Sequence, residues 1–127
     1  MESKAVNSTS GPVASGGYAQ AYEVTGGSRT LYISGQIPVR RDGSIPNDFV
    51  EQARIVWKNV EAQLKAAGMG LDNIVKHTTY LSDRRYSDEN SEVRREILGH
   101  RTPALTVIIA DIYDAEWLLE VEAIAVA

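Results

Sequence analysis

The sequence predicts a single-domain α+β protein, and three observations lead to this fold class. Two amphipathic helical segments alternate with runs of β-favouring residues in the order ββ–α–β–α–ββ. The 127 residues can bury one core, and no internal repeat or linker divides them. Apolar residues make up 43% of the chain and charged residues 24%, which is ordinary globular usage. We expect one domain over residues 16–127, preceded by a flexible N-terminal tail over residues 1–15.

The first two predicted strands, Tyr18–Val24 and Thr30–Gly35, flank a Gly26-Gly27 turn. A Gly-Gly pair between two β-type runs predicts a hairpin. The loop from Pro38 to Asn47 follows, because proline, serine and an Asp-Gly pair favour turns.

Apolar residues at three- and four-residue steps predict the first helix. Asp48 and Glu51 resemble a capping box at its start, and Gly68 can end it. The second helix is predicted from Ser87, where acidic residues fall in the first turn, to Gly99. The apolar stripe of the first helix consists of Ala53, Val56, Trp57, Val60, Leu64 and Ala67.

The remaining strands are predicted at Ile74–Leu81, Ala104–Ile112 and Leu118–Ala127. Two helices cannot cover both faces of such a sheet, so we expect both on one face. The other face should then carry apolar residues that need a partner, which favours an oligomer.

Several classes of function are disfavoured by composition. The chain has no cysteine, which removes disulfides and thiolate metal sites and fits a cytoplasmic location. His77 and His100 lack metal-ligand spacing, so we expect no metal site. The net charge of −4 and the acids beside each arginine pair argue against nucleic-acid binding. The N-terminus lacks a signal-type apolar core, and the apolar stretch 104–110 is too short to span a membrane.

A set of motifs, in order along the chain, resembles the RidA/YjgF family. The resemblance runs from about Gly17 to the C-terminus, so it covers nearly the whole chain. Its motifs are Tyr18-Ala19-Gln20-Ala21, Tyr32-Ile33-Ser34-Gly35-Gln36-Ile37-Pro38, Ala66-Ala67-Gly68, Leu71-Asp72-Asn73-Ile74-Val75-Lys76, Thr79-Tyr80-Leu81 and Glu120-Val121-Glu122-Ala123-Ile124-Ala125.

That resemblance implies a chorismate-mutase-like α+β fold, with a mixed β-sheet covered by two helices on one face. It also implies a homotrimer with ligand clefts between subunits. Members of the family hydrolyse reactive enamines and imines to a keto acid and ammonia, without a metal or organic cofactor. Older names for the family include endoribonuclease and translation inhibitor.

The resemblance also implies site residues. The cleft tyrosine corresponds to Tyr18, the cleft serine to Ser34 and the asparagine of the second helix to Asn90. The glutamate that holds the attacking water corresponds to Glu120. Without the resemblance, the Glu120–Glu122 pair is better explained as two acids on a wet or interfacial sheet edge.

Two positions depart from the family pattern. Leu105 stands where deaminating members carry an arginine in Pro-Ala-Arg-Ser, and Val93 replaces a frequent tyrosine. An arginine can hold a carboxylate through two charge-assisted hydrogen bonds, and leucine offers no donor. Loss of such a contact weakens binding ~30-fold or more. We therefore expect poor turnover of 2-imino acids. Arg101 could reach the cleft rim instead, or could be a solvated turn charge. Arg94 and Arg95 are further cations, on the second helix near Asn90.

We predict a homotrimer with an intersubunit small-molecule cleft that hydrolyses a reactive enamine, imine or related intermediate. Glu120 would orient water, and Tyr18, Ser34, Asn90 and Leu105 would shape the substrate site, with Arg101 at its rim. The alternative is a metabolite-binding or regulatory trimer without chemistry. Endoribonuclease action is a more distant alternative. The chain itself does not indicate which compound is the substrate.

Overall fold

The computed structural model describes residues 1–14 and 16–127. It contains six strands and two α-helices, with short 3-10 turns at Leu71–Asn73 and Arg84–Tyr86. The elements, in chain order, are β1 (Glu2–Val6), β2 (Ala21–Thr25), β3 (Thr30–Gln36), α1 (Phe49–Ala66), β4 (Ile74–Leu81), α2 (Ser87–Leu98), β5 (Ala104–Ile109) and β6 (Leu119–Val126).

The main sheet has four strands in the order β3-β6-β4-β5. β6 pairs antiparallel with both β3 and β4, whereas β4 and β5 are parallel. The parallel pair is possible because α2 lies between β4 and β5 in the chain and provides the crossover. The mixed sheet and two helices confirm the predicted α+β class.

The core lies between one face of this sheet and the helices. Buried and partly exposed residues alternate strictly along β6, as they do along most of β4, because successive side chains of a strand point to opposite faces. The apolar stripe of α1, centred on Trp57, is buried. The face of the sheet toward the helices, hereafter the helix face, contributes Ile33, Leu81, Leu119, Val121, Ala123 and Ala125 to the core.

The opposite face, hereafter the open face, has no helix in the described chain. We expected it to carry apolar residues, and it carries them together with polar side chains such as Lys76, Glu120 and Glu122. Its exposed apolar residues include Tyr32, 77% exposed, and Ile108 of the edge strand β5, 44% exposed. An exposed apolar edge strand invites pairing with another chain.

Two local features differ from the prediction. β2 and β3 do not form a hairpin, although Gly26 and Gly27 both adopt positive φ between them. β2 pairs with β1, whereas β3 pairs with β6 in the main sheet. The turn between β2 and β3 therefore connects two different sheets. Part of the expected N-terminal tail is strand β1. Ser15, the last residue of that tail, lies outside the described residues.

Some ends of the helices and strands also differ from the predicted ones. Asp48 is the N-cap of α1, but its side chain makes no capping hydrogen bond, and Glu51 pairs with Arg54 instead. Gly68 and Gly99 follow the two helices with positive φ, as predicted. Strand β5 ends at Ile109 rather than Ile112. No helix of the described residues is long and apolar enough to cross a membrane.

Candidate functional site

The predicted site residues fall on two separate surfaces of one protomer. Leu105 is paired with His77 across the parallel β4–β5 ladder, and His77 points to the helix face, where its ring meets Trp57. Glu120 is paired with Tyr80, which points to the open face. Paired residues share a face of a sheet, so Leu105 and Glu120 lie on opposite faces.

The first surface, hereafter the sheet-face cluster, consists of Ser34, Gly35, Tyr80, Glu120 and Glu122. A β-bulge brings them together, because Ile33 is paired with Ala123 whereas Gln36 is paired with Val121. Two residues of β3, Ser34 and Gly35, therefore oppose one residue of β6.

Glu120 occupies the space beside Gly35. A β-carbon on Gly35 would overlap Oε2 of Glu120 and lie 2.7 Å from its carboxyl carbon. Glycine is required here for space rather than for backbone conformation, since its φ is not positive. Burial, and then the negative charge of Glu122, raise the pKa of the half-buried Glu120 carboxyl. A carboxyl group tuned in this way can exchange a proton nearer to neutral pH.

Tyr80 fixes the second carboxylate of the cluster. Its hydroxyl donates a hydrogen bond of 2.7 Å to Oε1 of Glu122. That hydrogen bond, loss of hydration and the charges of both glutamates raise the pKa of Tyr80. Tyr80 therefore stays protonated at neutral pH and remains a donor to Glu122.

A groove of about 400 Å³ runs along the open face beside this cluster. Ser34 lies on its wall, and Lys76 donates to the hydroxyl of Thr106 (2.6 Å). The groove has the size of a small-molecule site. Its other lining residues include Tyr32, Thr78, Glu122 and Ile124.

The second surface, hereafter the edge cluster, consists of Tyr18, His77, Asn90, Arg94 and Leu105. Ala19 forms a bridge to Ala104, which places Tyr18 at the start of β5 near Leu105. Asn90 and Arg94 are four residues apart on α2, so they share a face of that helix. Both are buried, at 3% and 5% exposure. Tyr18 and His77 each interact electrostatically with Arg94.

His77 is a buried neutral imidazole. Its ring packs edge-on against Trp57, with centroids 5.3 Å apart. Burial, followed by the positive charges of Arg94 and Lys76, lowers the pKa of His77 to about 3. Neither ring nitrogen has a hydrogen-bond partner among the described residues.

Arg101 lies elsewhere. Its Nε donates to Oδ1 of Asp72 at 2.6 Å, and its Nη1 donates to the carbonyl of Leu98. These contacts place it in a separate depression of about 200 Å³, which Tyr22 and His100 also line. The described contacts give Arg101 no link to Glu120 or Asn90. Within the protomer Arg101 forms a local ion pair, and its position at the rim of an intersubunit cleft stays a prediction.

Sequence reasoning missed three functional candidates: Gly35, Tyr80, and Glu122 as the partner of Tyr80. Side chains two residues apart on a strand share a face, so Tyr80 and Glu122 each share a face with the polar residue two positions before it. The register that joins the two strands is not visible in the chain. The sequence identifies Arg94 as a cation near Asn90 on the second helix, but it does not show that Arg94 is buried.

No three His, Asp or Glu side chains of the described residues gather in a way that could hold a metal ion.

Comparison with known proteins agrees with this architecture. The mouse 2-iminobutanoate/2-iminopropanoate deaminase is 34% identical over 125 residues, which cover 97% of this chain and 90% of that protein. A RutC family protein of Pyrococcus horikoshii is 34% identical over 112 residues, 87% of this chain and 86% of that protein.

Solved structures show the same fold. The Rid family protein YyfB of Yersinia pestis superposes with a TM-score of 0.85 over 100% of both chains, at 24% identity. Escherichia coli TdcF, solved with bound serine, has a TM-score of 0.74 at 31% identity and 98% coverage of both chains. The model of the endoribonuclease L-PSP family matches residues 8–127. The chain therefore belongs to the endoribonuclease L-PSP family, the RidA/YjgF family that its motifs indicate.

Proposed function

We propose that this protein hydrolyses a reactive enamine or imine in a cleft between two subunits of a homotrimer. The observation that carries the proposal is the Glu120 carboxyl, which is half-buried beside Gly35 with a raised pKa. The 34% identity to the mouse deaminase supports the same reaction class.

In the proposed reaction, Glu120 binds a water molecule and accepts its proton while the water oxygen bonds to the imine carbon. Glu120 passes that proton to the nitrogen, which gives a carbinolamine. It then accepts the proton of the new hydroxyl group and delivers it to the amino nitrogen, so the carbon–nitrogen bond breaks, a carbonyl group forms and ammonia leaves. An enamine first gains a proton on carbon and loses one from nitrogen, and the resulting imine follows the same path. Glu120 begins and ends the cycle ionised, so no co-reactant other than water is consumed.

The intersubunit cleft is supported by the separation of the two clusters. Glu120 and Ser34 lie on the open face, whereas Tyr18, Asn90 and Leu105 lie at the β5 edge toward the helices. One protomer cannot bring these groups around one small molecule. The edge cluster of one protomer would meet the sheet-face cluster of the next, and the exposed apolar residues of β5 would be covered.

Leu105 sets the substrate range in this proposal. It has no donor for a carboxylate at the β5 position, so a 2-imino acid would gain nothing from that residue. Leu105 would instead pack against an apolar part of the substrate, whereas Val93 is buried in the core. The same feature favours the second candidate, a trimer that binds a metabolite without chemistry.

The test is an assay of imine hydrolysis with purified protein, using imines generated in situ from several amino acids and from an uncharged amine. We expect ammonia release by the wild type on the uncharged imine, slower release on 2-imino acids, and no release by Glu120→Gln. If the wild type is as inactive as Glu120→Gln on every imine, the proposed enzymatic activity is wrong, and a metabolite-binding trimer remains as the candidate. Light scattering during size-exclusion chromatography should give the mass of three chains.

A further inference from the structure

Arg94 is a buried cation at the centre of the edge cluster. It lies on α2 with 5% of its surface exposed, one helical turn after Asn90. Its Nη2 donates a hydrogen bond of 2.6 Å to the carbonyl of Gly16. A carbonyl oxygen accepts this bond but carries no full negative charge to balance the guanidinium.

The charge of Arg94 has no counterion in the described chain. None of the ion pairs between described residues involves Arg94, and its Nε has no hydrogen-bond partner among them. Burial, and then the neighbouring charge of Arg95, lower the pKa of Arg94. A buried cation is costly unless it is paired. The arrangement is therefore incomplete without an anion.

The groups around Arg94 are suited to a small organic anion. Tyr18 lies close enough to affect the charge of Arg94, and His77 has two unpartnered ring nitrogens. A neutral imidazole offers one donor and one acceptor. Leu105, the strand neighbour of His77, supplies an apolar side chain on the same face.

We propose that Arg94 binds the carboxylate of the protein's ligand and so supplies from α2 the cation that β5 lacks at Leu105. The inference rests on the proposed function for the location of the cleft, and it deepens that proposal by naming a carboxylate-bearing substrate class. The planar guanidinium can form two parallel hydrogen bonds with a carboxylate. The carboxylate of the ligand would be held on the α2 side of Leu105. Its distance from the reacting carbon would therefore differ from the distance in a substrate whose carboxylate is bound by an arginine on β5.

A purely structural role makes a different prediction. If Arg94 only ties the Gly16 segment to α2, one N–H donor is enough, and an uncharged donor should replace it. Arg94→Gln keeps a donor and removes the charge. Arg94→Lys keeps the charge and removes the planar fork.

The test is isothermal titration calorimetry with a matched pair of probes, 4-oxopentanoate and 2-pentanone, which differ in the carboxylate and hold it away from the carbonyl carbon. We expect the wild type to bind 4-oxopentanoate at least ~30-fold more tightly than 2-pentanone, and Arg94→Gln to lose that preference. The matched control is Arg95→Gln, which removes the adjacent exposed arginine and should change the affinity less than about threefold. If Arg94→Gln does not fold, Arg94→Lys should still weaken 4-oxopentanoate binding by about tenfold because it loses the bidentate geometry.

Two outcomes would overturn the inference. One is equal binding of 4-oxopentanoate by wild type and Arg94→Gln. The other is no carboxylate binding by the wild type while Arg94→Gln dissociates the oligomer, which would assign Arg94 to a subunit contact. The uncharged-imine assay separates this failure from that of the proposed function. If the protein hydrolyses the uncharged imine but does not bind a carboxylate, only the proposal for Arg94 fails. If it binds a carboxylate through Arg94 but hydrolyses no imine, only the proposed enzymatic activity fails.

Discussion

The carboxyl group of Glu120 fills the space where a side chain of residue 35 would lie. A β-carbon on Gly35 would be 2.7 Å from the Glu120 carboxyl carbon, too close for two atoms that are not bonded. The β3 bulge that places Gly35 there and the β6 strand that carries Glu120 are distant in sequence. The position of the proposed water-binding carboxylate is thus set by the absence of a side chain on a neighbouring strand.

Replacement of Gly35 by alanine should displace Glu120. We expect Gly35→Ala to lower the free energy of unfolding by less than about 1 kcal/mol, because the overlap falls on the end of the flexible Glu120 side chain, which can turn away. Activity should fall by about a hundredfold because the carboxylate is misplaced. The matched control is Gly70→Ala, since a β-carbon at Gly70 meets nothing within 4 Å and its φ is −139°. Urea unfolding and imine hydrolysis measure the two effects. Equal results for the two variants would refute the steric role of Gly35.

The pH dependence of hydrolysis should report Glu120. Its carboxylate must be ionised to accept a proton, so the rate should rise with pH through its pKa, which lies above the ordinary glutamate value. The charge of Glu122 contributes to this rise. Glu122→Gln should therefore move the acid limb of the kcat/KM profile to lower pH. Glu61→Gln, an exposed change on α1, is the control and should leave the limb in place. A limb that stays fixed in Glu122→Gln would contradict the assignment.

The hydroxyl of Tyr80 should contribute to stability through Glu122. Tyr80→Phe removes the 2.7 Å hydrogen bond and should cost about 1 kcal/mol of unfolding free energy. The control is Tyr113→Phe, because Tyr113 is 95% exposed. A double-mutant cycle with Glu122→Gln checks the pairing, since the effect of Tyr80→Phe should shrink when Glu122 is already changed. Fully additive effects would show that the bond contributes nothing.

His77 should make the fold sensitive to acid. Its folded-state pKa of about 3 lies below the unfolded value of about 6.5, so the unfolded chain takes up a proton first as pH falls. Stability from this group is complete above about pH 6.5 and falls by roughly one kcal/mol per pH unit down to about pH 3. His77→Phe keeps a ring against Trp57 and should flatten this part of the curve. Urea unfolding at several pH values measures it, with His100→Asn, an exposed change, as the control. The same slope in wild type and His77→Phe would contradict the prediction.

The sequence predicts the elements of this fold well because each helix and strand carries its own period. The stripe around Trp57 and the alternation along β6 are local patterns, and the structure contains both elements. Pairing between distant strands has no such local signal. The Gly26-Gly27 turn therefore predicts a β2–β3 hairpin, whereas β3 pairs with β6, a strand near the other end of the chain.

The candidate site was predictable only in part, for the same reason. Family motifs identified Glu120 and Asn90, but neither motif nor period shows that they lie on different surfaces of one protomer. The burial of Arg94 depends on the packing of α2 and the Gly16 segment, which are far apart in sequence. The ion pair of Arg101 with Asp72 likewise joins two turns that only the tertiary fold brings together.

The measurement that tests the shared cleft most directly is complementation between two inactive variants. Glu120→Gln removes the sheet-face carboxylate, and Asn90→Ala alters the edge cluster. The two chains are co-expressed with different affinity tags and unselected trimers are assayed for imine hydrolysis. If each site is built from two protomers, about one quarter of the sites in a random mixture combine an intact Glu120 with an intact Asn90, and activity should return to about that fraction of wild type. Activity no higher than that of either parent variant would contradict a site shared between subunits.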